Sequence, residues 1–169
     1  LANSSALKIG ITRIVNMPTR WLDQGATQAL PILKVGSRRL SGHLETLIGT
    51  QIADKTDWRK LLKGEAEPLN LIEQRDQILE EFAPKIQTIR DEFSQNLEFD
   101  ENLEFLENEL PREFIYPVEQ YPEKIKSLNL DKTPKIRGVL QGIKGQYLLL
   151  DIGVINIRKY TGYELILRA

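Results

Sequence analysis

The spacing of the apolar residues changes along the chain, and this change limits the folds available to it. Up to about residue 93, two segments repeat apolar residues at helical spacing, which predicts a helix from Ser37 to about Ala53 and a helical stretch over residues 68–93. From Arg112 onward, apolar and polar residues alternate in short runs that Gly, Pro and Asp separate. Five or six short strands at this spacing are typical of a small antiparallel β-barrel or sandwich. The sequence therefore predicts an α+β fold.

The first 64 residues alternate strand-like and helix-like segments. Residues 7–11 are strand-like, and Pro18 opens a helix that Gly25 ends. Residues 29–35 are predicted as a second strand, in which Pro31 indicates an edge position or the beginning of the strand. Ser37 is a good N-cap for the helix that follows. This order predicts a compact α/β unit that lacks its first strand.

Three regions follow from this pattern. We expect an α/β unit over residues 1–64, a helical and acidic connector over residues 65–111, and a small β-barrel over residues 112–169. Pro84 lies inside the helical part of the connector and is expected to kink it or split it in two. Residues 96–110 repeat Asn-Leu-Glu-Phe and are predicted as an acidic linker or a surface helix.

The charges are arranged in blocks although the net charge of the 169 residues is only −1. Residues 1–64 contain ten Lys or Arg and four Asp or Glu, residues 65–123 contain four and seventeen, and residues 124–169 contain nine and three. Two basic regions favour a polyanionic partner, because Lys and Arg displace counterions from phosphates. The alternative is that the acidic middle neutralises the basic ends within one fold, and both interpretations stay open.

Composition excludes several kinds of chemistry. The chain contains no Cys, so a thiolate metal site is excluded. Its single His leaves almost no residues from which to build a His-based metal site or a Ser-His-Asp triad. Walker, GxGxxG and HExxH motifs are absent from the sequence. No apolar run approaches the roughly 20 residues that span a bilayer. We therefore expect a cytoplasmic protein without a membrane partner, whose chemistry rests on carboxylates, Arg, Lys and Tyr.

Two charged residues of the N-terminal unit suit a phosphate or metal site. Arg20 follows a helix start beside a strand turn, where a guanidinium can bind phosphate bidentately. Glu45 lies at the border of the apolar stripe of its helix, angularly beside Ile52, where a carboxylate can hold a divalent ion over a cleft. A solvated surface arginine and a surface glutamate paired with a neighbouring base are the alternatives, and both stay open.

The other candidates are basic residues that would contact a nucleic-acid backbone. In the N-terminal unit they are Arg13, Arg38 and Arg39. In the C-terminal region tyrosines alternate with basic residues, and such a surface can stack on nucleotides, although packed half-buried tyrosines give the same pattern. The basic residues concerned there are Lys144, Arg158 and Lys159.

Four blocks of the sequence resemble a bacterial family, domain of unknown function 2797. They are "LKIGITR", "MPTRWLDQGATQALPI", "ADKTDWRKLLKGEAEPL" and "LDKTPKIRGVLQGIKGQYLLLDIGVINIRKYTGYEL". The resemblance covers most of the chain and fails near residues 94–111. Members of that family start earlier, with a Cys-rich region that resembles a zinc site. The resemblance therefore implies that this chain lacks such an N-terminal region.

The order of strand, "KIGIT", helix with Arg, strand and helix with Glu is distantly similar to the GIY-YIG nuclease superfamily. In that superfamily a hairpin supplies two Tyr, the first helix supplies an Arg, and a later helix supplies a Glu that binds a divalent metal. The resemblance implies catalytic roles for Arg20 and Glu45, with Mg²⁺ or Mn²⁺ at Glu45. Lys8 occupies the place of the second Tyr, and the first Tyr would lie upstream of Leu1.

These observations support three hypotheses about function. The first is a nucleic-acid-binding protein, for DNA or RNA, with a divergent and metal-dependent endonuclease-like domain. The second is a non-enzymatic module that binds a nucleic acid or a protein on the same scaffold. The third is a structural adaptor in which an apolar seam from Ile72 to Phe93 pairs with a partner helix. The sequence does not indicate an oligomeric state.

Overall fold

The computed structural model describes residues 1–52, 56–94 and 102–168. In chain order the strands are β1 Ala2–Asn3, β2 Leu7–Lys8, β3 Gln28–Ala29, β4 Leu33–Val35, β5 Leu103–Phe105, β6 Arg112–Glu113, β7 Leu140–Lys144, β8 Tyr147–Leu150 and β9 Gly153–Asn156. The α-helices are α1 Thr19–Asp23, α2 Arg38–Ile48, α3 Trp58–Leu61 and α4 Leu71–Ser94. This mixture of helices and antiparallel sheets confirms the predicted α+β class.

The first sheet contains strands from distant parts of the chain. Its order is β2-β1-β3-β6, and each neighbouring pair is antiparallel. β1 and β2 form a hairpin in which Ala2 is paired with Lys8. β6 pairs with β3, so hydrogen bonds of this sheet cross the boundary that we predict at residue 112.

The predicted strand over residues 29–35 is two strands in different sheets. β3 ends at Ala29 in the first sheet, whereas β4 begins at Leu33 and pairs with β5 in a second sheet. Pro31 lies between them, and because proline has no backbone N–H it cannot donate to a strand ladder. The prediction of one continuous strand is therefore wrong.

The acidic segment contains a strand where we predict a linker or a surface helix. β5 pairs with β4 in a register that places Leu103 opposite Val35, and Leu103 packs against the main core. Leu103 and Phe105 are two residues apart, which is the period of a strand rather than of a helix. The surface-helix alternative is wrong for these residues, and residues 96–101 of the same prediction lie outside the described part of the chain.

Helices α2 and α4 form the main apolar core. Ser37 caps α2 as predicted, since its Oγ accepts a hydrogen bond from the Leu40 N–H at 3.1 Å. α4 is one helix with Pro84 inside it, so Pro84 does not split it. The buried residues of α2 and α4 pack against one another and against the first two sheets: Leu40, Leu44, Ile48, Leu71, Ile78, Phe82 and Ile86. The seam predicted to pair with a partner helix is therefore largely used within this chain.

The C-terminal strands form an open sheet in the order β7-β8-β9. Their two hairpins turn at Gly145–Gln146 and at Asp151–Ile152. None of the sheets in the described part of the chain closes into a barrel, so the predicted barrel is here a three-stranded antiparallel sheet.

This third sheet packs on α1 and α3. A Cβ atom at Gly145 would lie 2.9 Å from the carbonyl oxygen of Asp23, so only a glycine, here at φ +57°, permits this close approach to the end of α1. On the other side, the Trp58 ring of α3 stacks on Tyr147, with ring centroids 6.1 Å apart. No helix in the described ranges is long and apolar enough to cross a membrane.

Candidate functional site

Lys8 lies buried on β2 and connects the first sheet to α1. Its Nζ donates a hydrogen bond to Oε1 of Gln24, which directly follows α1, and a second one to Oγ1 of Thr56 at 3.1 Å. Thr56 also lies 3.0 Å from the Ser4 hydroxyl. A buried ammonium group needs such partners, because burial without them is costly. Lys8 therefore holds α1 and the residues before α3 against the β1–β2 hairpin.

Arg20 lies on the same face of α1 as the contact with Lys8. It precedes Gln24 by four residues, and residues four apart share one face of a helix. Its side chain is half-buried. Its guanidinium forms no hydrogen bond or ion pair with any residue that the structure describes. The five donors of this guanidinium thus have no acceptor among the described residues.

Glu45 lies on α2 and faces the end of the strand segment that carries Lys8. It follows the buried Leu44 and is half-buried, in agreement with its predicted place at the border of the apolar stripe. One carboxylate oxygen, Oε1, is 4.0 Å from the point where a Cβ of Gly10 would stand. Within the described ranges this carboxylate also has no hydrogen-bond or ion-pair partner. Gly10 leaves the space in front of Glu45 open.

The predicted basic contacts of the N-terminal unit lie around this site rather than in it. Arg13 is exposed on the segment between β2 and α1. Arg38 and Arg39 are exposed in the first turn of α2, about two helical turns from Glu45. The Arg39 guanidinium covers the Phe93 ring at 5.4 Å, a cation–π contact with α4.

Lys144 occupies a place that differs from the exposed one we expect. It is fully buried, and its Nζ donates to the carbonyl oxygen of Gly64 at 2.8 Å and to the Tyr121 hydroxyl at 3.3 Å. Its ammonium also lies 5.0 Å from the centre of the Tyr121 ring and 5.7 Å from that of Tyr116. Burial lowers the pKa of Lys144 to about 8, while nearby Glu65 opposes this shift. The group is therefore not available at the surface, because internal partners and rings enclose it.

Arg158 and Lys159 are exposed on the 3₁₀ helix Ile157–Tyr160 that follows β9. The Asn156 side chain caps this helix by accepting a hydrogen bond from the Arg158 N–H at 3.1 Å. Both residues therefore lie at the surface beside the third sheet, as a contact with a polyanion requires.

A comparison with protein-family models decides the family. The model described as "Protein of unknown function (DUF2797)" matches residues 1–165. The chain belongs to the DUF2797 family. Searches of the curated proteins and of the solved structures each found no significant match.

The described residues of this DUF2797 chain do not include a cluster of metal ligands. No three His, Cys, Asp or Glu side chains of the described residues converge on one point. Glu45 alone would supply a single protein ligand, and Mg²⁺ is commonly bound through one or two carboxylates together with waters and substrate phosphates. Arg20 supplies a planar cation that fits a phosphate. A metal at Glu45 would therefore need further ligands from outside the described residues.

The sequence alone did not reveal the buried polar network beside this site. The Asn3 amide donates to Oε1 of Gln28 at 3.1 Å and to the carbonyl oxygen of Glu67 at 2.8 Å. Gln28 in turn bonds the backbone N–H and C=O of Leu69. The sequence does show a polar run, Asn3-Ser4-Ser5, inside an otherwise apolar hairpin. It does not show the hydrogen-bond partners of these residues, because they are more than twenty residues away. In DUF2797 this network fixes the hairpin that carries Lys8.

Proposed function

We propose that this DUF2797 protein is a cytoplasmic nucleic-acid-binding protein with a divergent, metal-dependent endonuclease-like site. One observation carries the proposal: the half-buried Glu45 carboxylate faces the open space at Gly10 without an internal partner. Arg20, half-buried and without a partner among the described residues, adds a second unsatisfied charge. Half-buried charges normally find partners, so unsatisfied charges of opposite sign on α1 and α2 suit an external phosphate and cation.

The roles follow from the chemistry of the two groups. Glu45 would hold Mg²⁺ or Mn²⁺, which supplies charge neutralisation at the phosphate and activates water. Arg20 would bind the phosphate oxygens and orient the phosphorus for attack by water, with cleavage of the P–O bond to the leaving sugar oxygen. Lys8 would act as a positioning residue, since its ammonium is already hydrogen-bonded to Gln24 and Thr56. Arg13, Arg38 and Arg39 would contact more distant phosphates.

Two further features support a polyanionic substrate. The order of strand, helix with Arg, strand and helix with Glu is similar to the GIY-YIG nucleases. The exposed Arg158 and Lys159 extend the basic surface on the C-terminal side. Binding to DNA or RNA would then weaken steeply with salt, because each neutralised phosphate releases counterions.

One observation favours a second candidate, a non-catalytic nucleic-acid-binding or protein-binding module on the same scaffold. Lys8 stands where the similar nucleases have a tyrosine, and it is buried in a structural role. A scaffold can keep its shape after the chemistry of its site has been lost. In this case Arg20 and the surrounding basic residues would bind phosphates without cleaving them.

A combined cleavage and retention assay separates the candidates. The purified protein is incubated with end-labelled single-stranded and double-stranded DNA and RNA, with Mg²⁺, Mn²⁺ or EDTA, and fragment size and retention are scored on the same samples. Glu45→Gln removes the charge of the proposed metal ligand. Glu80→Gln, an exposed glutamate of α4, is the matched control.

For the endonuclease we expect metal-dependent fragments that Glu45→Gln reduces to the EDTA level and Glu80→Gln leaves unchanged. Arg20→Gln should lower cleavage by roughly a hundredfold, the effect of removing one charge-stabilising donor. Retention without fragments, unchanged in Glu45→Gln, would instead support the non-catalytic module. Neither fragments nor salt-sensitive retention would contradict both candidates.

A further inference from the structure

A surface groove begins at the end of α1, within one helical turn of Arg20. It has a volume of about 580 Å³ and lies between Asp23, the β7–β8 hairpin and the 3₁₀ helix Ile157–Tyr160. This volume lies within the range of small-molecule sites. The groove has a fixed base, because the hairpin turn at Gly145 packs on the backbone of α1 and the Ile157 N–H donates to the Gln146 carbonyl at 2.9 Å.

The walls of the groove are apolar and partly accessible. Ile143 and Ile157 line it with 41% and 39% of their surfaces exposed. Tyr147 and Tyr160 contribute to its lining but are themselves buried. Two exposed isoleucines on a groove of this size leave apolar surface that a flat ring can cover.

Charges of opposite sign lie at the edges of this apolar groove. The exposed Arg158 lines one side, and the exposed Asp23 lines the end at α1. Neither side chain forms an ion pair with another residue of the described ranges. A ligand that fits must therefore combine a planar apolar body, an edge of hydrogen-bond donors for the carboxylate and an anionic group for the guanidinium. A nucleotide has this combination, with its base and its phosphate at opposite ends.

We infer that this groove binds one unpaired guanine nucleotide of a single strand, with the base against Ile143 and Ile157, the base edge at Asp23 and the phosphate at Arg158. The Watson–Crick edge of guanine presents two adjacent donors, N1–H and the N2 amino group, which match the two oxygens of a carboxylate. Uracil presents a single N–H between two carbonyl oxygens, and cytosine presents a single amino group beside two acceptors. In a duplex this edge is already paired, which makes single strands the ligand class. The inference rests on the proposed function, which it deepens by naming the substrate class.

The basic surroundings favour a nucleic acid over a peptide with similar side chains. Residues 124–169 contain nine Lys or Arg against three Asp or Glu, and Lys159 lies beside Arg158. Nucleotides on either side of the bound guanine would find phosphate partners on this surface. Towards α1 the strand would continue to Arg20, which joins the groove to the proposed site of cleavage.

A methyl NMR titration tests the inference without any cleavage. The isoleucine-labelled protein is titrated with guanosine or uridine 5′-monophosphate, with single-stranded pentamers that contain one guanine or none, and with the guanine pentamer paired to its complement. Ile143 and Ile157 report on the groove, and Ile152, exposed on the same sheet and not among the groove residues, is the internal control. Asp23→Asn is compared with Glu123→Gln, an exposed glutamate elsewhere.

We expect the groove methyls to shift at about tenfold lower concentrations of the guanine ligands than of the others, with Ile152 unaffected. The guanine pentamer should bind more tightly than the free nucleotide and than its duplex, and Asp23→Asn should abolish the preference while Glu123→Gln preserves it. Tighter binding of the free nucleotide than of the pentamer would overturn the inference in favour of a nucleotide ligand.

Equal shifts for guanine and uracil ligands, absence of groove shifts, or an unchanged preference in Asp23→Asn would also overturn it. The titration leaves Glu45 intact and involves no cleavage. Groove binding without cleavage in any assay would therefore contradict only the endonuclease. Cleavage without groove binding would contradict only the guanine site.

Discussion

The N-terminal and C-terminal sheets each bury one lysine, but the two lysines have different surroundings. Lys8 is enclosed by polar acceptors, Gln24 and Thr56. Lys144 is enclosed mainly by the rings of Tyr116 and Tyr121, with the Gly64 carbonyl as its backbone acceptor. The first arrangement connects β2 to the residue that follows α1, the helix that carries Arg20, whereas the second lies against aromatic rings. Burial of a lysine therefore does not by itself mark a functional site.

The same substitution should have different consequences at the two lysines. Methionine has a similar length to lysine and no charge, so it leaves volume nearly constant and removes only the ammonium. At Lys8 the loss leaves the Gln24 and Thr56 oxygens without their donor in a buried place. We expect Lys8→Met to lower the free energy of unfolding by about 2–3 kcal/mol. Urea unfolding followed by circular dichroism measures this change.

Lys144→Met should have a smaller effect at pH 7. The tyrosine rings can pack against a methionine, and removing a buried charge is often neutral or stabilising. We expect a change in the free energy of unfolding within about 1 kcal/mol, measured in the same way. A loss at Lys144 as large as the loss at Lys8 would contradict the difference between the two sites.

The pH dependence of stability sharpens the comparison further. Lys144 has a folded pKa of about 8 against an ordinary value of 10.5, so between these values the unfolded chain binds more protons than the folded chain. The free energy of unfolding contributed by this group therefore rises with pH in that window. Above pH 10 the raised pKa values of Tyr116 and Tyr121 act in the opposite direction, since their neutral forms are the ones favoured in the fold.

Urea unfolding at pH 7.5 and pH 9.5 isolates the lysine contribution. The protein should gain more stability over this interval than Lys144→Met gains. Identical gains in the two proteins would show that Lys144 keeps its ordinary pKa in the fold.

Local features of the chain could be predicted because their partners are close in sequence. The Ser37 cap and the helical period of α2 depend on residues a few positions away. The pairing of β5 with β4 and the hydrogen bond of Lys144 to the Gly64 carbonyl depend on contacts about seventy or more residues apart. Sequence patterns identify a lysine in a strand but not the rings that cover it.

Prediction of the candidate site from sequence has the same limit, since it depends on contacts between distant residues. The position of Glu45 at the border of an apolar stripe follows from helical spacing alone. The open space in front of the Glu45 carboxylate does not follow from helical spacing, because it depends on how α2 packs against the strand that ends near Gly10. Arg20 could be named from its place in α1, but its lack of an internal acceptor could be seen only with the fold.

The smallest change in stability is expected for Gly10→Ala. A Cβ there would lie 4.0 Å from Oε1 of Glu45, an ordinary contact, and Gly10 is not among the glycines with positive φ. We expect the free energy of unfolding to change by less than about 1 kcal/mol. The added methyl group fills space in front of the carboxylate, so metal-dependent cleavage should fall while stability is kept. Cleavage by Gly10→Ala at the rate of the unaltered protein would contradict the proposal that the substrate occupies the space in front of Glu45.

The central claim is that Glu45 holds a divalent metal together with a bound phosphate. It is tested most directly by Mn²⁺ titration followed by electron paramagnetic resonance, with and without a cleavage-resistant single-stranded oligonucleotide. The account predicts that the oligonucleotide increases Mn²⁺ affinity in the protein and in Glu80→Gln, and that Glu45→Gln abolishes this increase. Equal Mn²⁺ affinity in Glu45→Gln and in the unaltered protein, with the oligonucleotide present, would contradict the account.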